Sequence, residues 1–137
     1  MATRAIYRFK DEDETLQVYK HWDGYPKGAN IAIKKTLEFA WDLPRFEADE
    51  FAASFVAANK SKEGGDIRLN NWIDPYKTDL PNPNEIGAWI EYLYEIYMKD
   101  SILHIKASSN YGTLEVIYDG PFVDFEDFTE KETEDMD

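Results

Sequence analysis

Cysteine is missing from this 137-residue chain, and histidine occurs only twice. The first absence rules out a disulfide, a thiolate nucleophile and a cysteine-bound metal. It also suits a reducing compartment. A metal site built from His21, Asp23 and His104 would need the fold to bring three distant groups together, so no metal and no cofactor are expected. Long apolar runs are missing too. None approaches the ~20 residues that cross a bilayer, and Met1-Ala2-Thr3-Arg4 leads into an alternating pattern rather than an apolar leader. No membrane association is expected, and the expected compartment is the cytoplasm. The sequence holds no P-loop, no Gly-x-Gly-x-x-Gly, no His-Glu-x-x-His and no Gly-x-Ser-x-Gly. On this basis the chain is expected not to be an enzyme.

Bases are scarce as well: 15 Lys and Arg stand against 28 Asp and Glu, for a net charge of −13. Such a surface repels phosphate backbones, so direct nucleic-acid binding is disfavoured and a basic partner is favoured. The acidity is spread along the chain. Residues 124–137 hold eight acids and one lysine, and residues 1–123 hold 20 acids and 14 bases. With 43% hydrophobic and 15% aromatic residues, the chain can bury a core. Its length fits a single domain over 1–123, followed by an acidic tail over 124–137.

The patterning predicts an α+β fold. Ala5 to Lys10 and Leu16 to Tyr19 alternate around an acidic turn, Asp11-Glu12-Asp13-Glu14, and predict a β-hairpin. Apolar residues at helical spacing predict one helix over about 29–42 (Ala29, Ile33, Leu37, Ala40, Trp41). They predict a second over about 46–60 (Phe51, Ala52, Phe55, Val56). Ile67 to Trp72 reads as a short strand. The turn-rich stretch from Asp74 to Glu85, with Pro75, Pro81 and Pro83, reads as a loop. Trp89 to Met98 fits either a helix or a strand, and its β-branched and aromatic content favours the strand. Ile102 to Ser108 and Thr113 to Tyr118 complete a meander across an Asn110-Tyr111-Gly112 turn. The expected architecture is an antiparallel sheet of about five strands, an N-terminal hairpin plus a C-terminal three-stranded meander, with two helices on one face.

One segment combines side chains rarely placed in a turn: Tyr19-Lys20-His21-Trp22-Asp23-Gly24-Tyr25-Pro26-Lys27-Gly28. Asp23-Gly24 and Pro26 suit a turn and a helix start. One reading is a packed corner in which Trp22 and Tyr25 are buried anchors. The other is a surface for a small, nucleotide-like ligand. In that reading His21 is a titratable base, Asp23 its orienter, Trp22 and Tyr25 stacking platforms, and Lys27 an anion contact. Lys20, Lys34 and Lys35 make this the one basic island in an acidic chain.

The Thr3-Arg4 start and the Tyr19-x-His21-Trp22-Asp23-Gly24-Tyr25-Pro26-x-Gly28 corner resemble a group of small bacteriophage and prophage proteins. The resemblance covers roughly the first quarter of the chain and carries no catalytic residue. It implies a phage setting, in which small acidic proteins disable host nucleic-acid machinery. The expected function is therefore an acidic interaction protein that inhibits a basic host protein or complex, an anti-CRISPR-like mimic of nucleic acid. Its partner-binding residues are expected to be Asp11, Glu12, Asp13 and Glu14 with Asp124, Phe125, Glu126, Asp127 and Phe128. In the tail, acids would steer the partner and the two phenylalanines would anchor it; a solvated, structureless end is the other reading of the same residues.

Overall fold

The computed structural model describes residues 2–69, 90–111 and 113–135. The proline-rich segment from Asp74 to Glu85, along with Trp72, Trp89 and Gly112, lies outside the described residues. Among the described residues six strands form one sheet, and three helices cover one of its faces. Strands β1 (Ala5–Lys10) and β2 (Thr15–Lys20) make the expected hairpin, with Ala5 opposite Lys20 and Lys10 opposite Thr15. Helix α1 spans Pro26–Phe39 and helix α2 spans Ala48–Asn59. A three-residue edge strand, β3 (Ile67–Leu69), pairs with β2. The ambiguous stretch is a strand, β4 (Tyr92–Lys99). Strands β5 (Ile102–Asn110) and β6 (Leu114–Pro121) complete the meander.

The sheet is mixed rather than wholly antiparallel. Its order is β3-β2-β1-β4-β5-β6, and β1 runs parallel to β4, with Ala5 opposite Tyr92 and Phe9 opposite Ile96. Helix α1 carries the chain away from the end of the sheet where β1 starts, α2 carries it back, and β3, antiparallel to β2, leads away again. The Arg4 carbonyl then accepts from the Glu91 and Tyr92 N–H groups, so β4 begins beside the start of β1 and runs the same way. No local pattern encodes that choice.

Alternation assigns the faces. Tyr7, Phe9, Val18, Tyr94, Ile96, Leu103 and Ile105 point at the helices and are buried. Ala29, Ile33, Phe51 and Phe55 meet them from α1 and α2. The opposite face of β1 is buried too: Ile6 packs with Tyr19, Ile90 and Leu93. Arg8 there lies 3.5 Å from Glu95 and reaches the Gln17 side chain at 2.6 and 3.0 Å. Buried charge is tolerated when it is paired and hydrogen-bonded in this way.

The C-terminal segment departs most from expectation. Residues 125–135 are a third helix, α3 (Phe125–Asp135), reached through a single 3₁₀ turn over Phe122–Asp124. Phe125 is fully buried in the main core and Phe128 packs against that core. A row of rings explains the docking. Phe55 meets Tyr7 at 4.5 Å, Tyr7 stacks on Tyr94 at 5.1 Å, and Phe125 meets Tyr94 edge-on at 6.4 Å and Tyr118 at 5.2 Å. Lys34–Glu126 (2.8 Å) and Lys27–Glu130 (3.9 Å) bridge α1 to α3 along the exposed rim. The prediction is that Phe125→Ala lowers unfolding free energy by about 3–5 kcal/mol, as large-to-small core changes do. Urea denaturation measures it, and a midpoint equal to the parent's would show that the helix adds nothing to the core.

Candidate functional site

A concavity of about 720 Å3 lies at the end of the sheet that carries the β1–β2 turn. Three connections build it, that turn, the α1–α2 connection and the β4–β5 turn, together with residues of β4, β5 and β6. Seven carboxylate residues line it, Asp11, Glu12, Asp13, Glu47, Glu95, Asp100 and Asp119, against two lysines, Lys10 and Lys106.

These acids do different work. Asp11 is an architectural residue. Its Oδ1 accepts the N–H groups of Asp13 and Glu14, both at 2.8 Å, which closes the turn. Its Oδ2 accepts the Ala48 N–H at 2.7 Å, which caps the start of α2 from outside the helix, where Glu47 offers no side-chain cap. These backbone donors, Ala48 first, hold its pKa below 3.8. Glu95 is buried between Arg8 and Lys10 (3.5 and 3.7 Å). Asp119 accepts from the Tyr97 hydroxyl at 3.0 Å. Desolvation, that hydrogen bond and the Asp119 and Glu95 charges together push the Tyr97 phenol up to about 12. Glu12, Asp13, Glu47 and Asp100 are exposed and face solvent. Glu14 lies outside the concavity wall, beside α2. Partial desolvation and then the charges of Asp49, Asp11 and Asp13 raise its pKa above 4.5. The negative groups of this turn are thus close enough to oppose one another's ionisation.

The tail residues are placed elsewhere. Phe125 belongs to the core and Phe128 is half-buried against it, so neither is available as an exposed anchor. Their spacing of three, in an acidic helix, is the amphipathic stripe that packs α3. Glu126 is paired with Lys34, while Asp124 and Asp127 are exposed. The structure does not bring these tail acids into the concavity wall.

Apolar residues of the concavity wall come instead from the α1–α2 connection, Pro44 and Phe46. Close to them in sequence, Phe39 at the end of α1 and Trp41 and Leu43 of the connection are exposed. Trp41 was expected on the buried stripe of α1. That helix ends at Phe39, so Trp41 stands in the connection with the Arg45 guanidinium stacked 3.6 Å over its ring. The signal was present in the sequence: Phe39-Ala40-Trp41-Asp42-Leu43-Pro44 is unusually apolar for a helix connection.

The aromatic corner is closed by backbone and glycine rather than by buried rings. The Gly24 N–H donates to the Thr3 carbonyl (2.9 Å), and the Tyr94 hydroxyl donates to the Gly24 carbonyl (2.6 Å). A Cβ on Gly24 would lie 2.6 Å from the Thr3 carbonyl oxygen, and one on Gly28 would collide with the Asp23 carbonyl. Asp23 itself takes the left-handed conformation, φ 57°. Trp22 is 37% exposed and Tyr25 43% exposed, so neither is the buried anchor the packed-corner reading required. The five corner residues also diverge. His21 Nδ1 meets the Tyr19 hydroxyl at 2.6 Å, and the His21 ring packs edge-on against Trp22 at 4.7 Å. Asp23 accepts from the Tyr25 hydroxyl, and Lys27 reaches across to Glu130. Asp23 does not orient His21, so no base and orienter pair forms here. Among the described residues no cluster of three metal-ligating side chains occurs.

The opposed shifts of Asp11 and Glu14 make a paired prediction. Asp11→Ala should lower stability at pH 7 by about 1 kcal/mol, the usual size of a lost helix cap. Because its folded pKa is depressed, Asp11 contributes fully above pH 3.8, and that contribution disappears as pH falls further, so the variant and the parent converge in acid. Glu14→Gln should instead raise stability at pH 7, a gain that shrinks as pH falls through the raised pKa of the parent's Glu14. Urea titrations at pH 7 and pH 3 read both.

Compared with protein-family models, curated proteins and solved structures, the chain matches none of them.

Proposed function

We propose that the chain is an acidic interaction protein of phage type. Its concave face engages a basic, nucleic-acid-binding surface of a host protein or defence complex and competes there with nucleic acid. The carrying observation is the gathering of seven carboxylate residues from distant parts of the sequence around one concavity of about 720 Å3. The exposed Phe39, Trp41 and Leu43 adjoin it in sequence and supply the apolar contacts that acids alone lack. Clustered charge accelerates encounter and selects a complementary surface, while aromatic anchors hold the complex. An evenly acidic surface would give solubility without such a focus.

The acids that hold the fold are distinct from those free to meet a partner. Asp11 and Glu95 have intramolecular partners, whereas Glu12, Asp13 and Asp100 are exposed. Asp100 has φ 53°, a conformation asparagine also accepts. The triple variant Glu12→Gln/Asp13→Asn/Asp100→Asn should therefore fold normally. Immobilised protein should retain host nucleic-acid-binding proteins from a bacterial lysate, release them as salt rises, and release them to added duplex DNA. The triple variant should bind the recovered partner about tenfold more weakly. Retention insensitive to salt, to DNA and to the triple variant would contradict the proposal.

A further inference from the structure

A second pocket, of about 90 Å3, lies at the opposite end of β2, between that strand, the first turns of α1 and the end of α2. Lys20, Asp23, Tyr25, Lys35 and Asn59 contribute its polar lining. Lys20 is the unusual member. It is only 8% exposed, and its ammonium donates to one acceptor, the Trp22 carbonyl oxygen. An ammonium has three protons to place, and leaving them unmet away from water is unfavourable. Among the described residues no carboxylate lies within ion-pair distance of Lys20 or Lys35. Asp23 favours the Lys20 charge from farther off, but its carboxylate also accepts from Tyr25. Lys35 opposes the Lys20 charge, and burial opposes it most. A chain with 28 acids and 15 bases thus sets two lysines together without a paired acid. The Asn59 Nδ2 donates to the Phe55 and Ala32 carbonyls, and neither lysine ammonium donates to its Oδ1.

We propose that this pocket binds a phosphoryl group, a tetrahedral oxyanion seated between Lys20 and Lys35. An incoming dianion converts the repulsion of two ammonium groups into two charge-assisted contacts and gives Lys20 its missing acceptors. The volume equals that of about three water molecules. That admits the oxyanion, and the remainder of a monoester would extend along the exposed Tyr25 at the pocket's edge. The site is independent of the acidic face, which lies at the other end of the same strand.

The test is a 1H–15N NMR titration of the full chain at constant ionic strength, with inorganic phosphate, AMP and adenosine in parallel. Phosphate should cause saturable shifts at Lys20, Tyr25 and Lys35, and Lys35→Met should weaken binding about tenfold. AMP binding more tightly than phosphate identifies a nucleotide monoester as the source, and equal binding identifies free phosphate; either supports the site. Shifts that chloride reproduces, an unchanged affinity in Lys35→Met, or adenosine binding as well as AMP would overturn it. Lys35 is exposed, so Lys35→Met keeps the test decisive even where Lys20→Met fails to fold.

Discussion

Tyr94 joins three parts of the molecule that are remote in sequence. Its ring stacks on Tyr7 of the hairpin, its edge meets Phe125 of the C-terminal helix, and its hydroxyl fixes the Gly24 carbonyl at the corner. It sits on β4, the strand that pairs with β1 in parallel. The hairpin, the start of α1 and the docking of α3 are therefore set against one another by one fully buried side chain. Once those elements are in register, the turns at the far end of the sheet have no freedom to separate, and their acids are held together.

Holding like charges together works against folding, and the fold offsets this locally. Asp11 turns its charge into three backbone hydrogen bonds, one of them to the start of α2, where a negative group is also favoured by the helix dipole. Glu95 is neutralised by Arg8 and Lys10. What remains uncompensated is a small set of exposed acids, and these are the ones a basic surface would meet. The basic island at the other end of β2 reverses the balance, with two lysines against the one carboxylate of Asp23.

Local patterns in the sequence were sufficient for the hairpin, both central helices and the meander, because alternation and helical spacing are properties of single segments. The parallel junction of β1 with β4 was not legible, since it rests on contacts remote in sequence, such as those of the Arg4 carbonyl with the Glu91 and Tyr92 N–H groups, rather than on the pattern of either strand. The tail read as solvated or docking because its charge hides a two-residue apolar stripe; Phe125 and Phe128 reveal their role only against Tyr94 and Tyr118. Trp22 and Tyr25 looked like anchors for the corner, yet two glycines and two hydrogen bonds close it, and the rings are left exposed. Of the candidate residues, Asp11, Glu12 and Asp13 stand in the concavity wall, whereas Glu14 and the tail residues do not.

Gathered acids must feel one another. Titration of the side-chain carboxyl carbons by NMR, residue by residue and at low and high salt, reports that coupling. Asp11 should titrate below the ordinary aspartate range and Glu14 above the ordinary glutamate range, with the Glu14 displacement shrinking in high salt. Ordinary, salt-independent values at both positions would mean that the backbone contacts of Asp11 and the crowding of acids around Glu14 are absent, and the acidic turn would not be held against α2 as described.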